Sequence, residues 1–198
     1  MPNIREPKIN SSIEKKNKII KAGLEVFGTK GYYKTTTVDI AKKAGVSTGI
    51  VYSYFVDKKD IFLHSLKLYF DKTYEPIIEK INSLKFVSSE QVIDKLIDLF
   101  ITTHKEDLST HEEMVAMSHL DTDIHKVFIY AENKITESIL LFLQRNNITF
   151  ENMKEKIHIG YNLVDNLCHE LFYHRHDYIN YEQMKIETKK AILHLVRN

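Results

Sequence analysis

The chain has 198 residues, 43% hydrophobic and 28% charged, a composition that supports one or two domains with a full core and excludes disorder throughout. Its longest uninterrupted apolar run, Ile139 to Leu143, is far shorter than the ~20 residues of a membrane-spanning helix, and Met1 to Asn10 lack the apolar stretch of a secretory leader. A single cysteine, Cys168, excludes an internal disulfide and suits a reducing, cytoplasmic setting.

The net charge of +1 is a sum of opposites. Residues 1–60 hold 12 basic and 6 acidic side chains, and the remainder hold 16 and 21. A head of +6 joined to a body of −5 points to local contact between the head and a polyanion.

In chain order, the first predicted helix starts at Ser11 or Ser12 as N-cap, places Ile13, Ile20, Leu24 and Phe27 on one stripe, and ends at Gly28 and Gly31. A short helix from about Val38 to Ala44 stops at Gly45, a candidate left-handed cap, and a third runs from Ser47 or Thr48 to about Phe55. Beyond Gly49 only Pro76 and Gly160 interrupt the chain, so long helices follow. They cover Lys58 to about Leu84, with a bend or end at Pro76; a segment from Ser88 or Ser89 carrying Val92, Ile93, Leu96, Ile97 and Phe100; and about His111 to His119. A segment carrying Ile124, Phe128, Ala131, Ile135, Ile139 and Phe142 follows, then about Glu151 to His174 and Tyr181 to Val196. The predicted fold is all-α, about nine helices, with a head over residues 1–57 and a larger helical domain over 58–198.

The informative stretch is TTTVDIAKKAGVSTGIVYSYFVDKKDIF, Thr35 to Phe62. Two short amphipathic helices joined by Ala44-Gly45-Val46-Ser47 form a helix-turn-helix, in which the second helix enters the major groove of DNA. Val38, Ile40, Ala41, Val46, Ile50 and Val51 are its inward anchors. The rest of the second helix, Ser47, Thr48, Gly49, Tyr52 and Ser53, is small or hydroxylated, which permits close approach to base edges and phosphates.

These residues, together with Phe27, Gly31-Tyr32, Thr35-Thr36-Thr37, Ile40-Ala41, Tyr54-Phe55, Lys58 and Ile61, resemble the DNA-binding domain of the tetracycline-repressor (TetR) family over roughly residues 12–64. The resemblance implies phosphate contacts from Thr37 and its neighbour Thr36, and anchoring of the recognition helix on the DNA backbone by Ser47. Thr48, Gly49 and Tyr52 take the base-contacting positions, and Tyr54 and Lys58 hold the flanking backbone. Thr48 departs from the Lys or Arg of many relatives, which shifts readout toward methyl contacts and DNA shape. Tyr32 is expected to pack between the first and fourth helices. The basic residues Arg5, Lys8, Lys15, Lys16 and Lys18 either reach an adjacent groove or are disordered.

The last two helices carry apolar residues beyond the needs of one core face, which suits a homodimer through them, as the resemblance also implies. It further implies a repressor that binds a palindromic operator and is released by a small-molecule effector. Candidate pocket residues are Tyr69, Phe70, Tyr74, Phe100, His104, Met114, Met117, Phe128, Asn162 and Asp165. Asp165 and His169 share a helical face near His174 and His176, but their spacing supplies no convincing ligand set, and neither a metal nor a cofactor is expected. With no phosphate-cradling loop, nucleophile elbow or metal-ligand motif, an enzyme or carrier is the weaker reading; a regulator governed by a protein partner, or by no ligand, stays open.

Overall fold

The structure is a computed structural model that describes residues 10–105 and 108–197, and all structural statements concern these. They form nine helices and no strand. α1 (Asn10–Lys30), α2 (Thr37–Ala44), α3 (Thr48–Tyr52) and α4 (Lys58–Ser83) are followed by α5 (Ser89–Lys105) and α6 (Leu108–Ser118). α7 (Thr122–Arg145), α8 (Met153–Phe172) and α9 (Tyr181–Arg197) complete the chain.

Two compact units result. The described residues of Met1–Lys72 and Ser109–Ile129 form one, and those of Thr73–Leu108 and Tyr130–Asn198 the other. The start of α4 and most of α6 therefore belong with the three-helix head, so the compact unit extends beyond residue 57.

In the first unit, α1 turns Ile19, Ala22, Val26 and Phe27 into the core. Of the predicted stripe Phe27 is buried, whereas Ile13 lies outward and Ile20 and Leu24 are only half-buried. α1 also runs straight through Gly28 and ends where Gly31 adopts a positive φ of 78°. Gly23 serves a different purpose. A Cβ there would come within 2.7 Å of Ser65 Oγ and 2.9 Å of Ile61 Cγ2, so only glycine lets α1 and α4 approach this closely. At that approach the Ser65 hydroxyl donates to the Ile20 carbonyl over 3.1 Å.

In the second unit, α5 packs against both α8 and α9, which pack against each other. Ile97, Phe100, Leu167 and Cys168 are buried there. Lys185 and Lys189 of α9 pair with Asp98 and Asp94 of α5, each over 2.7 Å; exposed pairs of this kind contribute at most about 1 kcal/mol apiece. Pro76 lacks an N–H for the Lys72 carbonyl, yet α4 continues to Ser83, so the helix does not end there.

Candidate nucleic-acid interface

The head is built by local capping chemistry. Thr36 has extended backbone at the N-cap of α2; its hydroxyl oxygen accepts from the Asp39 N–H, and the Asp39 carboxylate accepts from the Thr36 N–H over 3.0 Å. Two otherwise orphaned donors are thereby satisfied. Lys30 donates to the other Asp39 oxygen over 2.6 Å. The Lys30 ammonium and the Thr36 hydrogen bonds hold the Asp39 carboxyl well below the usual carboxylate range. The one acid of α2 is thus neutralised within the head.

Gly45 ends α2 in the left-handed conformation at φ 65°, and Val46 N–H closes back on the Ala41 carbonyl. Ser47 then caps α3, its Oγ accepting from Ile50 N–H over 3.3 Å. Ile40, Ala41 and Val51 are buried as anticipated, while Val46 and Ile50 are half-buried. Val38 is a correction: it is 61% exposed, because two residues along a helix turn it about 200° away from Ile40.

Thr36, Ser47, Gly49 and Tyr52 are exposed, and Thr37, Thr48 and Ser53 half-buried. The Tyr52 hydroxyl lies 3.0 Å from Thr37 Oγ1, joining the end of α3 to the first turn of α2. Ser53 donates its hydroxyl proton to the Ile50 carbonyl over 2.6 Å and keeps its oxygen as an acceptor. At Gly49 an added Cβ would meet only Ser47 Oγ, at 4.0 Å. Nothing in the fold requires glycine there. Its bare backbone leaves room for an approaching partner.

Tyr54 and Lys58 are placed differently from the other predicted contacts. Tyr54 is only 5% exposed and its hydroxyl lies 2.7 Å from Ser12 Oγ of α1. The Lys58 ammonium donates to the carbonyls of Tyr32 (2.8 Å) and Thr35 (3.0 Å) and lies 4.3 Å from the Tyr32 ring centroid. Both side chains bind the head to itself. Tyr32, as expected, packs between Phe27 of α1 and Phe62 of α4.

Three contacts, from α6, the turn after it and α7, had no signal in the sequence. The Tyr32 N–H donates to the Glu113 carboxylate of α6. Lys59 pairs with Asp121 (2.8 Å) and Asp123 (2.9 Å), which raise its pKa above the ordinary lysine range. Among the basic residues, Lys43 pairs with Glu25, and Lys16 lies over the Phe55 ring. Arg5 and Lys8 lie outside the described residues.

The ten predicted pocket residues divide between the units. In the first, Tyr69 bonds to His111 Nδ1 over 2.9 Å, Phe70 packs edge-on against Phe128, and Met114 and Met117 are buried. In the second, Tyr74 hydrogen-bonds Tyr161, and Phe100 packs against Tyr161. His104 donates from Nδ1 to the Phe100 carbonyl and faces Asp165 over 3.4 Å from Nε2. Burial opposes the imidazolium, but Asp165 and Cys168 outweigh it and push the His104 pKa up to about 10. Asn162 is a correction: it is exposed, one helical step from the buried Tyr161.

The second unit also holds a cavity of about 110 Å³ lined by residues of α5, α7, α8 and α9 and by Phe86, Ile148 and Phe150. Of the predicted pocket residues, Phe100 alone lines it.

A capped helix-turn-helix on a three-helix head, followed by long helices, defines the class of helix-turn-helix DNA-binding proteins. Residues 19–64 match the family model "Bacterial regulatory proteins, tetR family". The head of the chain is thus similar to the DNA-binding helix-turn-helix of that family. The chain is 43% identical over 77 residues to the HTH-type transcriptional regulator HbdR of Aromatoleum sp. (strain CIB), covering 39% of this chain and 32% of the relative. It is 40% identical over 65 residues to the uncharacterized HTH-type transcriptional regulator YuxN of Bacillus subtilis (strain 168), covering 33% and 22%. The chain thus spans a third or less of the length of these two relatives. A crystal structure described as a TetR-family transcriptional regulator from Mesorhizobium loti superposes with a TM-score of 0.75 at 18% identity, covering 97% of this chain and 98% of that one. At that identity the likeness shows the fold. No described helix is long and apolar enough to cross a membrane.

Proposed function

We propose that the chain is a transcriptional repressor that binds a palindromic operator as a homodimer and is released when a small molecule occupies its second unit. The Thr37–Tyr52 hydrogen bond carries this reading, because it brings the first turn of α2 and the end of α3 into one hydroxyl-rich surface. Thr36, Thr37 and Ser47 take phosphate oxygens, and Thr48, Gly49, Tyr52 and Ser53 meet the groove. Tyr54 and Lys58 act by holding the head in shape, given the internal partners they already have.

Dimerisation through α8 and α9 is supported by their exposed apolar side chains, Ile159 and Ile186. Two copies suit so short a recognition helix, since paired heads combine their binding energies on a two-fold site. Effector release requires that the ligand favour a conformation whose heads no longer match the half-site spacing.

Selection of bound duplexes from a random-sequence pool, followed by sedimentation of the complex, tests the reading. A palindromic consensus bound by two chains supports it. Enrichment of no sequence, or binding of one chain to an asymmetric site, overturns it.

A further inference from the structure

We propose that the cavity of the second unit binds a medium-chain carboxylate, its hydrocarbon tail inside and its carboxylate on the Lys156 ammonium. That such a ligand acts as the effector rests on the reading above, whereas the site and its ligand class do not.

The chemistry of the walls selects the tail. Val92, Leu96, Phe100, Ile139, Phe142 and Ile192 are among its apolar lining, and the polar lining side chains are Ser89, Lys156 and Tyr161. Tyr161 directs its hydroxyl to Tyr74, so that polar group is already engaged. A water inside would lack the two to four partners it needs, and an apolar cavity of ~150 Å³ is known to stay dry and take up benzene. At about 110 Å³ this one suits an alkyl chain or small ring of about six carbons.

The space is also kept open by the sequence. Gly160 is buried mid-way along α8, where glycine weakens a helix relative to alanine. Its φ is not in the left-handed region, and an added Cβ would meet only Ile192, at 3.7 Å. Neither backbone conformation nor close packing calls for glycine. What its bare Cα does is widen the cavity it lines.

The charge of the head group follows from Lys156, the one charged residue in the lining. Its ammonium lies 5.7 Å from the ring of Phe150, also in the lining, and forms no ion pair among the described residues. An anion there gains an ion pair with the ammonium, where an alcohol gains only a hydrogen bond from it. A carboxylate is the simplest anion compatible with an apolar body of this size.

Calorimetry on the full chain with octanoate, 1-octanol and acetate tests the proposal without DNA. The expected result is saturable binding of one octanoate per chain, tighter than 1-octanol by about fivefold, with acetate inert. Lys156→Ala should erase the octanoate advantage and leave 1-octanol unchanged. Leu96→Phe, which fills the cavity, should weaken both by about tenfold; Gly160→Ala, a smaller filling, should weaken both less while keeping the unfolding midpoint. Octanoate binding that survives both filled variants, equal affinity for octanol and octanoate, or no binding by either overturns the site or its ligand class. Octanoate bound as expected but without effect on DNA affinity would instead remove the effector reading and leave the site standing.

Discussion

The hydroxyl of Tyr52, the last residue of α3, lies 3.0 Å from Oγ1 of Thr37, the first residue of α2, so the two short helices share one hydrogen bond across the surface proposed to meet DNA. Tyr52→Phe deletes that bond and the exposed hydroxyl while keeping the ring. Because both groups are solvent-accessible, the unfolding free energy should change by less than about 1 kcal/mol, while DNA affinity should fall by about five- to tenfold. Equilibrium denaturation beside fluorescence anisotropy on one duplex separates the two. A large stability loss with unchanged affinity would place the bond in the fold alone.

Thr36→Ala removes the capping box at the start of α2. The expected cost is about 1 kcal/mol of stability, read as a lower denaturant midpoint with an unchanged slope. Thr36→Ser keeps the oxygen and should restore most of it. If alanine and serine behave alike, the cap observed between Thr36 and Asp39 contributes nothing measurable.

Lys58 distinguishes holding the head from gripping DNA. Lys58→Met keeps an apolar stem beside Tyr32 but leaves the Tyr32 and Thr35 carbonyls without their donor, so stability should fall by about 1–3 kcal/mol. At temperatures where the variant is folded, its DNA affinity should stay within about threefold of wild type. A loss of affinity and of salt dependence with no loss of stability would make Lys58 a phosphate contact instead.

The position of this lysine also shows what the sequence conceals. Order and type of the nine helices were legible from apolar spacing and from the scarcity of glycine and proline, and the Gly45 cap from its place between two short amphipathic segments. Helix phase was less so. Ile13 and Val38 are apolar yet outward, since a surface helix tolerates single exposed aliphatics and spacing alone does not fix which stripe is buried. The contacts of Lys58, and that of Glu113 with Tyr32, join residues far apart in the chain and leave no local pattern. Aromatic and polar interleaving pointed to paired groups such as Tyr69 with His111, whereas the cavity is lined mostly by aliphatics, which in sequence look like any core.

His104 gives a pH signature. Its folded pKa is raised, to about 10, so the imidazolium's contribution is full below about pH 6.5 and is lost as pH rises through the folded value. Stability relative to Asp165→Asn, which removes the facing carboxylate, should therefore shrink between about pH 7 and 10. The gap at neutral pH should be about 1–3 kcal/mol, since Asp165 is partly exposed. Parallel pH profiles for wild type and variant would show that the pair does not titrate in this range.

The central claim is that the α2–α3 surface binds duplex DNA through its phosphates, and the salt dependence of affinity for a selected duplex tests it most directly. Each phosphate neutralised by a lysine or arginine of the basic head releases counterions, whereas the threonine and serine hydroxyls release none, so log affinity should fall linearly with log salt, with a slope of about −0.9 per neutralised phosphate. For two heads the expected result is a loss of roughly a thousandfold between about 50 and 200 mM salt, and Thr48→Asp on the recognition helix should abolish binding. Affinity that ignores salt, or that survives an acid at Thr48, would contradict the claim.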